Sequence, residues 1–205
     1  VANEIQKAEP PALPLAPEQY DRPFMDQNSN VLRLFFTRIT SLLNTLLSVN
    51  NGGRFLYMPQ GLFYSTTDQT AAVANTGYPV EFEITYLGSG VSVVSDTRIT
   101  VTAAGIYSFQ VTLQTEHSDA STVTLWTWIN KNGADVPYGG QATSIKGSGA
   151  QTTHWNFSID LTAGQYIEMY WATSSTALSL QSTAATAPHP GIPAAVVAVS
   201  FSSNL

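Results

Sequence analysis

The sequence predicts a mainly β protein: an antiparallel sandwich preceded by an extended N-terminal arm and one short helix. Three observations carry this prediction. From about Phe55 onward apolar residues alternate with period two, glycine turns punctuate the runs, and a helical period appears in one place only. Composition agrees. Charged residues make up 11% of the 205, against about 25% in an average soluble protein, so Ser and Thr supply most of the polarity. The absence of cysteine removes disulfides, thiol nucleophiles and cysteine zinc sites together.

Residues 1–30 read as the arm. Pro10, Pro11, Pro14, Pro17 and Pro23 fix φ and remove backbone donors, which disfavours both helix and sheet interior. The apolar residues of the arm, Leu13, Leu15, Tyr20, Phe24 and Met25, are too sparse to offset its ordering entropy alone. They are the candidate contacts of an arm laid along a partner, with Glu4, Glu9, Glu18, Asp21 and Asp26 meeting cations there.

Residues 31–54 read as an amphipathic helix followed by a glycine linker. Leu32, Phe35, Ile39, Leu42, Leu46 and Val49 fall at a and d of a heptad, with Phe36 and Leu43 widening the stripe. Asn28, Ser29 or Asn30 would cap its start, and Asn50-Asn51-Gly52-Gly53 would stop it. A rod of about 27 Å is short for an isolated coiled coil. The stripe therefore packs on its own domain, self-associates, or docks on another protein.

Residues 55–205 read as the sandwich. Clean alternation runs over 80–86 and 106–113, with further runs at 98–102, 122–130, 152–161, 166–173, 177–182 and 195–202. Turn signals separate them, among them Gly88-Ser89-Gly90, Ala104-Gly105, Lys131-Asn132-Gly133 and Gly147-Ser148-Gly149. Many short strands with no second helical pattern argue for sheet on sheet.

Charge restricts the function classes. The formal net charge is −6 with a pI near 4.8, and the eight basic residues are scattered singly, unlike a nucleic-acid footprint. No run reaches the roughly 18 apolar residues of a membrane span. Catalytic constellations are weak as well. Glu81 and Glu83 sit about 7 Å apart on one strand face, a spacing that suits paired carboxylates, yet Phe82 and Ile84 point inward and leave both acids in solvent. Glu116, His117 and Asp119 read as a polar loop without calcium-loop spacing. His117, His154 and His189 are dispersed, and no Gly-x-Ser-x-Gly elbow exists. The expectation is a protein that is no enzyme and binds no metal or cofactor.

The order of blocks carries a resemblance. Phe63-Tyr64-Ser65-Thr66-Thr67-Asp68-Gln69-Thr70 and Asn75-Thr76-Gly77-Tyr78-Pro79-Val80 resemble the opening of a bacteriophage virion domain. That domain is of the tumour-necrosis-factor-like and complement-globular-head-like jelly-roll type. Gly90-Val91-Ser92-Val93-Val94-Ser95 with Ile99-Thr100-Val101 and Ala104-Gly105-Ile106-Tyr107 are similar to its next block. Trp126-Thr127-Trp128-Ile129-Asn130-Lys131-Asn132-Gly133-Ala134-Asp135-Val136-Pro137 resembles its turn signature. Trp155-Asn156-Phe157, Ala163-Gly164-Gln165-Tyr166-Ile167-Glu168 and Gly191-Ile192-Pro193-Ala194-Ala195-Val196-Val197 complete the series over residues 60–205. Ile129-Asn130 replaces the usual basic pair, and Gln165 stands where an acid is commoner.

The resemblance implies a ten-strand jelly roll assembled as a homotrimer. The family serves in phage heads and tails and in eukaryotic secreted ligands, and the expectation is a structural virion protein of a tailed phage, assembled in the bacterial cytoplasm. The short chain, the lack of a long shaft and the arm favour a head decoration, cement or head-fibre protein anchored by that arm, with the major capsid protein as partner. The alternative is a tail-fibre or adhesin tip that binds a host receptor or glycan. Nucleic acid and membrane are not expected partners. Trp126 and Trp128 share one strand face while Leu125, Thr127 and Ile129 share the other. This suggests that the second sheet face is buried too, against identical subunits.

Overall fold

The computed structural model describes residues 19, 21–46 and 58–203. The chain divides into two compact units, Val1–Leu56 and Tyr57–Leu205.

The described part of the first unit is one helix, α1 (Arg22–Leu46). It begins at Arg22 rather than at residue 31, so Phe24 and Met25 lie on the helix and not in an extended arm. The reason is positional. Pro23 falls in the first turn, where a missing N–H costs nothing and the fixed φ suits a helix. The Asp21 carbonyl accepts the first helical bond, from Met25 N at 3.1 Å. None of the helix residues is buried. Leu13, Leu15, Tyr20, Val49 and the Asn50–Gly53 stop lie outside the described residues.

The second unit is an antiparallel sandwich of two sheets. Its strands are β1 (Gln60–Ser65), β2 (Gln69–Thr70), β3 (Tyr78–Pro79), β4 (Ile84–Ser89), β5 (Val91–Val94), β6 (Arg98–Val101), β7 (Gly105–His117), β8 (Thr122–Lys131), β9 (Ala134–Lys146), β10 (Gly149–Leu161), β11 (Tyr166–Thr173), β12 (Leu178–Leu180) and β13 (Ala195–Ser203). Ten of these have four or more residues; β2, β3 and β12 are short additions.

In the seven-stranded sheet β10 runs along one edge of β7 while β13 and β12 share the other, since Leu113 pairs with both Thr153 and Ala195, and His117 with both Gly149 and Leu178. Beyond β13 lie β1 and β4, and β2 flanks β12. The six-stranded sheet runs β5-β6-β11-β8-β9, with β3 extending the edge of β11. The chain crosses between sheets from β2 to β3, β3 to β4, β4 to β5, β6 to β7, β7 to β8, β9 to β10, β10 to β11 and β11 to β12, a jelly-roll-like path.

Alternation puts the core between the sheets. Phe63, Tyr107, Phe109, Leu125, Ile167 and Trp171 are each at most 1% exposed. The Tyr107 hydroxyl donates to the Ala103 carbonyl at 2.8 Å, which satisfies the one polar atom that ring brings inside. Phe109 stacks on Phe157 with centroids 4.8 Å apart. The predicted Asn-Gly turn closes β8–β9, with Asn132 at φ 52° and Gly133 at φ 85°, the pair of left-handed conformations a two-residue hairpin needs.

One alternating run is a strand in its second half only. Residues 80–83 precede β4 and bond to three partners in turn: Val80 N to Met169 O, Glu81 N to the Gln69 side chain, and Phe82 N to Asp96 O. Val80 and Phe82 are still buried, as the alternation requires.

Candidate functional site

The acid expected to face solvent at position 83 is a structural tie. Glu83 Oε1 accepts from the backbone and hydroxyl of Thr66 and from Thr67 N and Oγ1 at 3.1 and 3.3 Å. It closes the turn after β1. Burial pushes its carboxyl up, but hydrogen bonds from Ser65, its own amide and Thr66 together hold it below the ordinary value of 4.5. Glu81 is held through its backbone instead: its N–H and carbonyl both bond the Gln69 side-chain amide at 3.0 Å. The two acids serve different contacts and do not work as a carboxylate pair.

Glu116 and His117 end β7 and are not in a loop. His117 is wholly buried; its Nδ1 lies 2.8 Å from the Gly147 carbonyl and its Nε2 3.1 Å from Asp119 Oδ1. Asp119 is held below its ordinary value by hydrogen bonds from the Ser121 hydroxyl and amide. His154 lies on the outer side of β10, and His189 sits in the loop after β12. Glu168 is buried between the Thr97 hydroxyl at 2.9 Å and Arg98 Nε at 3.3 Å. Arg98 in turn covers the Tyr166 ring at 4.9 Å. Lys131 Nζ pairs with Asp160 at 3.0 Å, which lowers the Asp160 carboxyl. Among the described residues no three His, Asp or Glu side chains converge as metal ligands.

The two outer faces differ from each other. On the six-stranded sheet Leu125, Thr127 and Ile129 point inward and Trp126 and Trp128 outward, as the sequence indicates. These outward aromatics are half-buried within the unit. Trp128 stacks on Tyr170 with centroids 5.5 Å apart and donates through Nε1 to Asp135 Oδ1 at 2.9 Å. Gly77 approaches so closely that a Cβ there would lie 2.8 Å from the Trp128 ring. Burial first, then the charges of Glu168 and Asp135, raise the Tyr170 phenol above its ordinary 10.0.

The outer face of the seven-stranded sheet is nearly neutral. Across β10, β7 and β13 its outward positions carry Ser, Thr, Asn, Gln, His154 and apolar residues such as Ile106, Val196 and Ala198, without Lys or Arg. The acids there are Glu116 and Asp160, at opposite ends, and Asp160 is paired with Lys131. Side chains bridge the strands in rows: Ser108 to Ser158 at 2.9 Å and to Ser202 at 2.7 Å, Thr112 to His154 Nδ1 at 3.2 Å, and Thr152 to Gln114 at 3.0 Å. A face of this kind loses little by desolvation, because charge is what makes burial costly. Sequence reading singles out the tryptophan face; the signal for the neutral face is the missing charge at alternate positions of three strands.

On α1, Leu32, Phe35, Ile39, Leu42 and Leu46 form one half-buried stripe, joined by Phe24, while Met25, Phe36 and Leu43 are exposed. No helix among the described residues is long and apolar enough to cross a membrane. No family model matches the chain, and no curated protein matches it.

Proposed function

We propose that the protein is a structural, non-enzymatic component of a tailed-phage virion. In this reading it is a homotrimeric head decoration, cement or head-fibre protein whose N-terminal segment attaches to the major capsid protein. The observation that carries the reading is the neutral, cross-bridged outer face of the seven-stranded sheet. Interface cores are depleted of charge, and a face of hydroxyls and amides, each both donor and acceptor, is complementary to a copy of itself. The resemblance of residues 60–205 to phage jelly-roll domains supports the same reading. Acids such as Glu83, Glu168 and Asp160 are consumed as turn ties and ion pairs, which suits a scaffold.

Purified virions of the phage that encodes the protein test this. Quantitative mass spectrometry should find a copy number that scales with the major capsid protein. Absence from the particle overturns the reading.

A second reading, a tail-fibre or adhesin tip that binds a receptor or glycan, is favoured by one observation. Tyr138 is fully exposed and held at φ 59° on β9, a conformation that bulky residues seldom adopt. A copy number matched to tail components, with loss of host adsorption in Tyr138→Ala, selects this reading.

A further inference from the structure

We infer that α1 assembles with two further copies of itself into a parallel, in-register three-stranded coiled coil, with Asn28 as its polar layer. This rests on the trimer reading above and adds to it the partner, direction and register of the helix.

The observed helix start changes what the stripe can do. With 25 residues, α1 is about 37 Å long, and the 3-4 spacing continues backward without a slip. Met25, Leu32, Ile39 and Leu46 take the a positions; Asn28, Phe35 and Leu42 take d. A helix laid on a globular surface follows the 3.6 period, whereas a strict 3.5 repeat drifts by about 20° per heptad unless helices wind around each other. The repeat therefore points to a helical partner.

The flanking positions identify that partner. The e positions are Arg22, Ser29, Phe36 and Leu43, and the g positions are Phe24, Val31, Arg38 and Thr45. Arg22 and Arg38 are the charges among them, both basic, and no acid stands at an e or g position, so the opposite-charge code that selects a foreign helix is missing. Phe36 is 61% exposed and Leu43 49% exposed. A stripe widened this way is covered when each helix has two neighbours, as in a trimer.

Asn28 sets direction. Its Oδ1 is buried and has no hydrogen-bond partner. In a parallel, aligned trimer the three amides meet, and each offers the donor and the acceptor the others need. In an antiparallel or shifted assembly Asn28 faces apolar side chains and stays unpaired, which is costly. One polar residue in a seam fixes register in this way.

The chain has no cysteine, so Asn28→Cys in the full chain gives one thiol per copy. Mild oxidation should convert most of the trimer to disulfide-linked pairs, while Thr37→Cys, at the outward f position, should stay unlinked. A trimer that links only when Asn28→Cys is mixed with Leu42→Cys is antiparallel; that result, or no linkage at all, overturns the inference and leaves the trimer reading standing. A monomer by sedimentation overturns both. Asn28→Leu supplies a second measurement: the expected result is a spread of oligomer masses, and an unchanged single trimer contradicts the role of Asn28 in register.

Discussion

Four donors converge on one oxygen of Glu83, and their consequence is a pH dependence of known sign. Its folded pKa lies below the ordinary 4.5, so the folded state binds fewer protons than the unfolded state. The stabilisation is present above that value and is lost as pH falls through the folded one. Glu83→Gln keeps the shape and removes the charge, so it should cost about 1 kcal/mol at neutral pH. Urea unfolding at a series of pH values should show the two proteins converging in acid. Tyr138 gives a second residue-scale expectation. Its left-handed backbone favours glycine, so Tyr138→Gly should unfold at the same temperature or slightly above, whereas Tyr138→Val should unfold lower. Neither residue's role is legible in the sequence: alternation describes Glu83 as a solvated face, because period two carries no information about which turn a carboxylate caps.

At the scale of elements, Gly105 marks how closely β7 and β13 approach. A Cβ there would lie 2.1 Å from the Phe201 ring and 2.8 Å from the Ser203 carbonyl. Gly105→Ala should therefore destabilise by about 1–3 kcal/mol, measured as a lowered midpoint in thermal unfolding. The strands legible in the sequence are those with one buried side, such as β7 and β8, where alternation and burial coincide. The strand β9 is not legible. Its residues include Pro137, Gly139 and Gly140, and Ile145 is its one buried position, so an edge strand leaves no apolar period to read. The helix start escapes sequence reading for the opposite reason: Pro23 looks like a breaker although it occupies the first turn, where proline initiates.

At the scale of the whole molecule, the attachment role proposed for the N-terminal segment is tested on residues 1–20, since 22–30 belong to α1. A chain that begins at Asp21 should keep the sandwich and the trimer but fail to rebind particles stripped of the protein. Wild-type occupancy by that truncation would place the attachment elsewhere. The neutral sheet face and the heptad stripe converge on one quantity, the number of copies that associate. Sedimentation equilibrium of the intact chain measures it directly: the expected result is a single species of three times 22.0 kDa at micromolar concentration, and a species of one chain mass would contradict the account.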